Sequence, residues 1–298
     1  MGAGHGHGHA GAKHRWRLMV SFGLIGVFFV VELIFGLTSG SLSLLSDAGH
    51  MAADVVTLGA ALVATRIAAR PDTTGRRSYG SYRAEVFASL LAVVLMLGVA
   101  VYVVVEAIGR IGEKAEISTG PMIVVGALGL VVNLIALMLL RAGASESLNV
   151  KGAYLEVMAD TAGSVGVIVA GWLVASTGQP VWDTAVALAI GAFVAFRAVG
   201  LGKQVFAVLG QHVPEGLSAE EVAGDLAAIK GVRDVHDLHL WTLTSGMHVA
   251  TAHLVADQRD SHSVLDQARE VLRSRHGVAH ATLQVEPADH KGCDEIGW

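Results

Sequence analysis

The chain has 298 residues, 53% of them hydrophobic and only 16% charged, with a mean hydropathy of +0.55. Soluble domains are about 25% charged, so an ordinary soluble globular protein is excluded, and a single cysteine, Cys293, excludes an intramolecular disulfide framework. The net charge of −5 is unevenly spread: residues 206–298 hold 14 Asp+Glu against 7 Lys+Arg, an acidic, histidine-bearing stretch that points to metal cations as partners and away from nucleic acid.

Residues 1–17 are rich in Gly, Ala and His, with His5, His7, His9 and His14 beside Lys13, Arg15 and Arg17. They read as a flexible, His-rich cytoplasmic N-terminus that can hold metal loosely, with an idle tail or tag as the alternative. The apolar run that follows is too long for a signal-peptide core, and no cleavage-like site comes after it.

Apolar segments recur at 18–37, 42–65, 84–108, 121–140, 153–176 and 181–202. Each approaches the ~20 residues that cross a bilayer core as a helix, which predicts a six-span transmembrane domain over 18–205. Basic residues alternate along the connections. Arg15 and Arg17 precede the first span, and Arg66, Arg70, Arg76, Arg77 and Arg83 separate the second and third. Arg141 and Lys151 flank the fourth connection, and Arg197 and Lys203 mark the exit from the sixth. This pattern places both termini in the cytoplasm.

The second span is not uniformly apolar. It carries Asp47, His50 and Asp54 at i, i+3 and i+7, on one helix face. The fifth span carries Glu156 and Asp160 at i and i+4. Ionisable groups are expensive at the bilayer centre and persist there with a partner or a function. Imidazole and carboxylates are the ligands of a tetrahedral divalent-metal site. The expected transport site is therefore His50 and Asp54 with Glu156 and Asp160, a set split over two helices that can part and release its ion. Asp47 would overfill four-coordination and is assigned a supporting role beside it. Because ligands must lose protons to bind metal, the site implies metal–proton exchange, with His50 as the coupling group. Glu32, Glu106 and Asn133 are expected to hydrogen-bond between helices, and Gly163, Gly166 and Gly171 to let helices approach closely.

From about residue 206 the composition becomes that of a soluble domain. Ser218 followed by Glu221 reads as a capping box for a helix to about Ile229. A strand over Val232 to Leu243, a hairpin turn at Ser245-Gly246, a strand over 248–255, a helix from Ser261 and a strand over 281–286 follow. The order αββαβ predicts a small ferredoxin-like α+β domain, two helices on one antiparallel sheet. Strict alternation would put His236 and His239 on opposite faces of their strand, out of reach of a single ion.

Particular stretches carry a resemblance. Ser43-Leu44-Leu45-Ser46-Asp47-Ala48-Gly49-His50-Met51-Ala52-Ala53-Asp54, Tyr79-Gly80-Ser81-Tyr82-Arg83-Ala84-Glu85, Asp160-Thr161-Ala162-Gly163-Ser164-Val165-Gly166-Val167 and Val235-His236-Asp237-Leu238-His239-Leu240-Trp241-Thr242-Leu243 together resemble the cation diffusion facilitator family, in its zinc-transporting branch. The resemblance implies a homodimer in the bacterial cytoplasmic membrane, with cytoplasmic metal-binding and dimerisation domains (here 206–298), and exchange of metal for protons. It implies that His50, Asp54 and Asp160 line the transport site. It also matches His236, His253 and Glu286, with His280 and Cys293 more weakly, to metal-binding positions of the cytoplasmic domain. Where the zinc branch usually shows His-x-x-x-Asp in the fifth span, this chain has Glu156-x-x-x-Asp160, a harder site that leaves room for Co²⁺, Fe²⁺ or Mn²⁺ beside Zn²⁺.

The expected activity is thus export of a divalent metal, not enzymatic turnover. Two other classes are weighed against it. A metal sensor or scaffold whose tail is the active part would not need acids at the centre of two spans. An intramembrane metalloenzyme would be expected to carry a His-Glu-x-x-His motif or a nucleophile triad, neither of which is present.

Overall fold

The computed structural model describes residues 9–68, 76–110, 116–144, 148–244, 246–257 and 261–287. Six long helices come first: α1 (His9–Ser39), α2 (Leu42–Ala68), α3 (Ala84–Gly109), α4 (Thr119–Ala144), α5 (Leu148–Thr177) and α6 (Val181–Leu209). They form the helical membrane portion of an integral membrane protein. Among the described residues, five of them are long and apolar enough to cross a bilayer by length and composition. The remaining helix, α2, is of similar length and carries Asp47, His50 and Asp54. Its polarity is affordable because the polar residues turn inward.

The chain separates into two compact units, Met1–Gly59 with Leu91–Gly200, and Ala60–Leu90 with Leu201–Trp298. In the first, α4 packs against both α1 and α5, while α2, α3 and α6 share cores built on Leu42, Val103 and Ala187 and on Ala53, Met96 and Val194. Phe28, Leu44, Met51, Met122, Val125 and Val167 join the two groups. The outer surface is apolar, with Val27, Met138 and Phe196 70%, 69% and 78% exposed, whereas Glu32, Asp47, His50, Asn133, Asp160 and Asp183 are buried. Polar side chains inside and aliphatic ones outside suit a lipid solvent.

Asp183, in the first turn of α6, is fully buried, and its carboxylate accepts from the Leu42 and Ser43 amides (2.6 and 3.1 Å) and the Ser41 and Ser43 hydroxyls (2.7 and 2.6 Å). These amides are among the orphan donors that open any helix. Arg110, 3.6 Å from the same carboxylate, donates to the Gly40 carbonyl at 2.8 Å. One acid on α6 thereby fixes where α2 begins.

The second unit contains the α+β domain: α7 (Ala219–Ala227), β1 (Val232–Thr244), β2 (Met247–Ala256), α8 (Ser261–Ser274) and β3 (His280–Glu286). Ser218 caps α7 by accepting from the Glu221 amide, and Gly246 turns the β1–β2 hairpin at a φ of +71°, which favours glycine. Val222 and Leu226 of α7 and Val264, Ala268 and Leu272 of α8 pack on Leu240, Ala250 and Leu254, so both helices cover one sheet face. The sheet order is β1-β2-β3. β1 and β2 are antiparallel, but β3 runs parallel to β2, correcting the all-antiparallel sheet expected from the sequence. α8 is a crossover that carries the chain back before β3 starts, and a crossover returns a strand in the same direction. Within this unit, Thr244 donates to Glu85 at 2.6 Å, and the Tyr79 ring meets His280 edge-on at 5.7 Å.

Asp183→Ala should strip the cap from α2 and lower stability by about 2–4 kcal/mol, read as a fall in the thermal midpoint of the purified protein. Thr38→Ala, which removes an exposed hydroxyl bonded to its own helix, should shift it by less than about 0.5 kcal/mol. Equal midpoints for the two variants would contradict the capping role.

Candidate metal sites

α2 presents His50 and Asp54 one turn apart, and α5 brings Asp160 to meet them. His50 Nε2 lies 3.4 Å from Asp160 Oδ1 and 3.7 Å from Asp54 Oδ2. All three offer ligand atoms within 4.8 Å of one another. A tetrahedral ion with ligands at 2.0–2.2 Å has ligand–ligand edges of about 3.3–3.6 Å, so the trio needs little movement to close on one ion. Asp160 Oδ1 is buried and makes no hydrogen bond, an acceptor left for something else to satisfy.

The structure places Glu156 differently from the other three. It forms an ion pair with Arg197 of α6 and stands outside the three-residue cluster. The same guanidinium reaches His50, with Arg197 Nη1 3.0 Å from Nε2. Sequence reasoning used Arg197 only as an orientation charge. Its position within the apolar stretch between Asp183 and Lys203 of α6 was the signal available.

Asp47 sits one turn before His50 and is buried. Its Oδ1 occupies the space where a side chain on Gly163 would begin, 2.6 Å from an ideal Cβ. Gly171 is similarly closed off by Ile123 at 2.7 Å. Here the glycines do let α5 approach its neighbours. Asn133 donates to Ser164 at 3.3 Å, an α4–α5 bond of the expected kind. Glu32 of α1 is fully buried with both carboxyl oxygens lacking a hydrogen-bond partner.

On the tail domain, the sheet face away from the helices gathers a second group. His236 and His253 are direct partners across β1 and β2, with rings 5.3 Å apart. Glu286 of β3 lies 2.7 Å from His253 Nδ1 and 3.7 Å from His236 Nε2, and these three form a possible metal group. The expected separation of His236 and His239 does not hold. Asp237 adopts a φ of 51° at a bulge, so His236 pairs with His253 and His239 with Thr251, two residues apart on β2 and hence on one face. Asp237 links them, 3.0 Å from His239 and 3.9 Å from His253. His280 contacts Tyr79 rather than this group, while Cys293 lies outside the described residues. His276, buried against Asp225 at 3.0 Å, ties α8 to α7.

A family model described as the cation efflux transmembrane domain matches residues 18–209, and one described as the cation efflux protein cytoplasmic domain matches 214–288. The chain is 40% identical over 296 residues to the cation efflux system protein CzcD of Alcaligenes sp. (strain CT14), covering 99% of this chain and 93% of that one. It is 32% identical over 299 residues to a cadmium, cobalt and zinc/H(+)-K(+) antiporter of Bacillus velezensis, covering 98% and 95%. With the zinc transporter ZitB of Escherichia coli it shares 33% over 281 residues, covering 93% and 89%.

Gly163→Ala should force Asp47 aside and destabilise the α2–α5 contact by about 1–3 kcal/mol. Adding Asp47→Ala should recover part of that loss, giving a favourable coupling in a double-mutant cycle of thermal unfolding. Strict additivity would mean the two residues do not share that space.

Proposed function

Since the chain belongs to the cation diffusion facilitator family, we propose that it exports a divalent metal ion from the cytoplasm in exchange for protons, with zinc as the principal ion and cobalt or iron as further candidates. The convergence of His50, Asp54 and Asp160 from α2 and α5 carries this reading. A carrier must strip a hydrated ion and then give it up. A buried imidazole and two carboxylates supply the first. Their division between two helices supports the second, because sliding α2 along α5 opens the ligand set without breaking either helix. Proton exchange follows from the same chemistry: a carboxylate or imidazole that loses its metal is left as an unpaired base in a low-dielectric interior, and a proton satisfies it.

Glu156 enters this reading as a fourth ligand reached only when it leaves Arg197. With one imidazole and up to three carboxylates, the site is harder than a two-imidazole one and tolerates Co²⁺, Fe²⁺ or Mn²⁺ more readily. The names of the relatives, which include cadmium, cobalt and zinc, are compatible with that breadth. Asp47, beside the cluster and against Gly163, positions α2 rather than binding the ion.

The tail group of His236, His253 and Glu286 is assigned a resident or regulatory ion. Metal there would bind β1, β2 and β3 together and stabilise the folded domain by mass action. His280 and Cys293 are kept as weaker candidates. We place the protein as a homodimer in a bacterial cytoplasmic membrane with both termini inside, acting as a carrier and not an enzyme. Residues 18–205 form the transport domain and 206–298 the metal-binding and dimerisation domain.

Purified protein in liposomes should move Zn²⁺ against an opposing pH gradient. His50→Ala and Asp160→Ala should each lower the rate by at least about a hundredfold, the loss of a ligand being worth several kcal/mol. His236→Ala with His253→Ala should retain substantial flux, which a sensor or scaffold does not predict. Full transport by His50→Ala would overturn the assignment of the membrane site.

A further inference from the structure

The transport chemistry above treats Arg197 only as the partner that Glu156 must leave, yet the same side chain also engages His50. Its Nη1 donates to His50 Nε2 at 3.0 Å, and its guanidinium also pairs with Glu156. The Cζ atom lies 6.0 Å from the Phe193 ring centroid, and Phe193 in turn meets the His50 ring edge-on at 6.4 Å. Arg197 is thus held at three points. A guanidinium keeps its charge at any physiological pH and has no lone pair to offer a metal.

We propose that Arg197 is a tethered cation that competes with the transported metal for His50 and Glu156, and must swing off them before the ion is fully bound. The inference rests on the transport reading. The lone pair on Nε2 that would bind a metal is the one the guanidinium uses, so the two states exclude each other. The geometry gives the arginine somewhere to go. His50 is 3% exposed at its side chain, whereas Glu156 is 46% and Arg197 23% exposed. The guanidinium therefore lies between a buried imidazole and a half-exposed carboxylate, and its flexible stem lets it withdraw towards the latter.

Charge explains why such a competitor is useful. With Asp54, Glu156 and Asp160 ionised, the site would present three negative charges in a low-dielectric interior and would hold a divalent ion too tightly to release it. Between metal-bound states Arg197 lowers this to a net two, and by competing for His50 and Glu156 it lowers the apparent affinity for the ion. It also occupies His50 between metal-bound states, so the imidazole is never left facing an empty acid cluster.

The test is a Co²⁺ titration of the full-length dimer, followed by the d–d absorption of tetrahedral cobalt. The same titration of His50→Ala is subtracted to remove binding at the tail. Arg197→Gln should tighten the membrane site by about tenfold or more, lower KM for zinc in liposomes, and lower the maximal rate because release slows. Arg197→Lys keeps the charge but cannot span His50 and Glu156 together, and should give a smaller gain in affinity. A merely structural arginine predicts weaker binding in both variants. Unchanged or weaker affinity in both, with the wild-type site intact, overturns the inference alone. Identical titrations of wild type and His50→Ala would remove the transport site itself, and the inference with it.

Discussion

Everything in the membrane part answers to one constraint: ionisable groups placed where no water can solvate them need partners from elsewhere in the chain. α2 carries three such groups within two turns. Alone in lipid those groups would be costly to bury without partners. The helix is stable only because α5 and α6 meet its polar face with Asp160, Arg197 and the glycine-lined surface around Gly163. The same requirement that assembles the bundle also builds the metal site. Polar groups that hold the helices together are the groups a cation would bind.

Two devices make that assembly specific. The first is the capping of α2 by Asp183 of α6, which uses a buried carboxylate to satisfy backbone amides that the helix cannot satisfy itself. It pins one end of α2, leaving His50 and Asp54 further along the helix. The second is the removal of side chains where α5 must come close, at Gly163 and Gly171. A β-carbon at Gly163 would collide with Asp47, and α5 would be held off by roughly the width of a methyl group. Together they anchor α2 at its first turns and bring α5 close to both α2, at Asp47, and α4, at Ile123.

The tail domain solves a different problem. Its helices cover one sheet face and leave the other for polar residues. The bulge at Asp237 is what makes that face chemically dense. By inserting one residue it keeps Val235, Leu238 and Leu240 against the core while bringing His236 and His239 to the same side. The parallel pairing of β3 then sets Glu286 beside His236 and His253. Three strands contribute one residue each, so the group exists only in the folded sheet.

Much of this was legible in the residues themselves. Span length is a local property, and it places six helices without any knowledge of packing. The αββαβ order came from periodicity, from Ser218 and from Gly246, each acting over a few neighbours. His50 and Asp54 could be paired because helical spacing puts them on one face. What lay beyond reach were relations between distant segments. Nothing in the spacing of Glu156 and Asp160 tells that Arg197 would draw Glu156 aside, since that depends on how α6 is rotated against α5. Strict alternation misjudged His239 because a bulge is a single backbone angle, at Asp237, stabilised by the fit of both flanking halves of the strand to the core. The sense of β3 depended on the path of α8 over the sheet. The sequence alone determined which residues had to be buried with partners, because hydrophobicity and helical period are written residue by residue. Only the tertiary structure decided who those partners are, because rotation and register are settled by packing between helices and strands far apart in the chain.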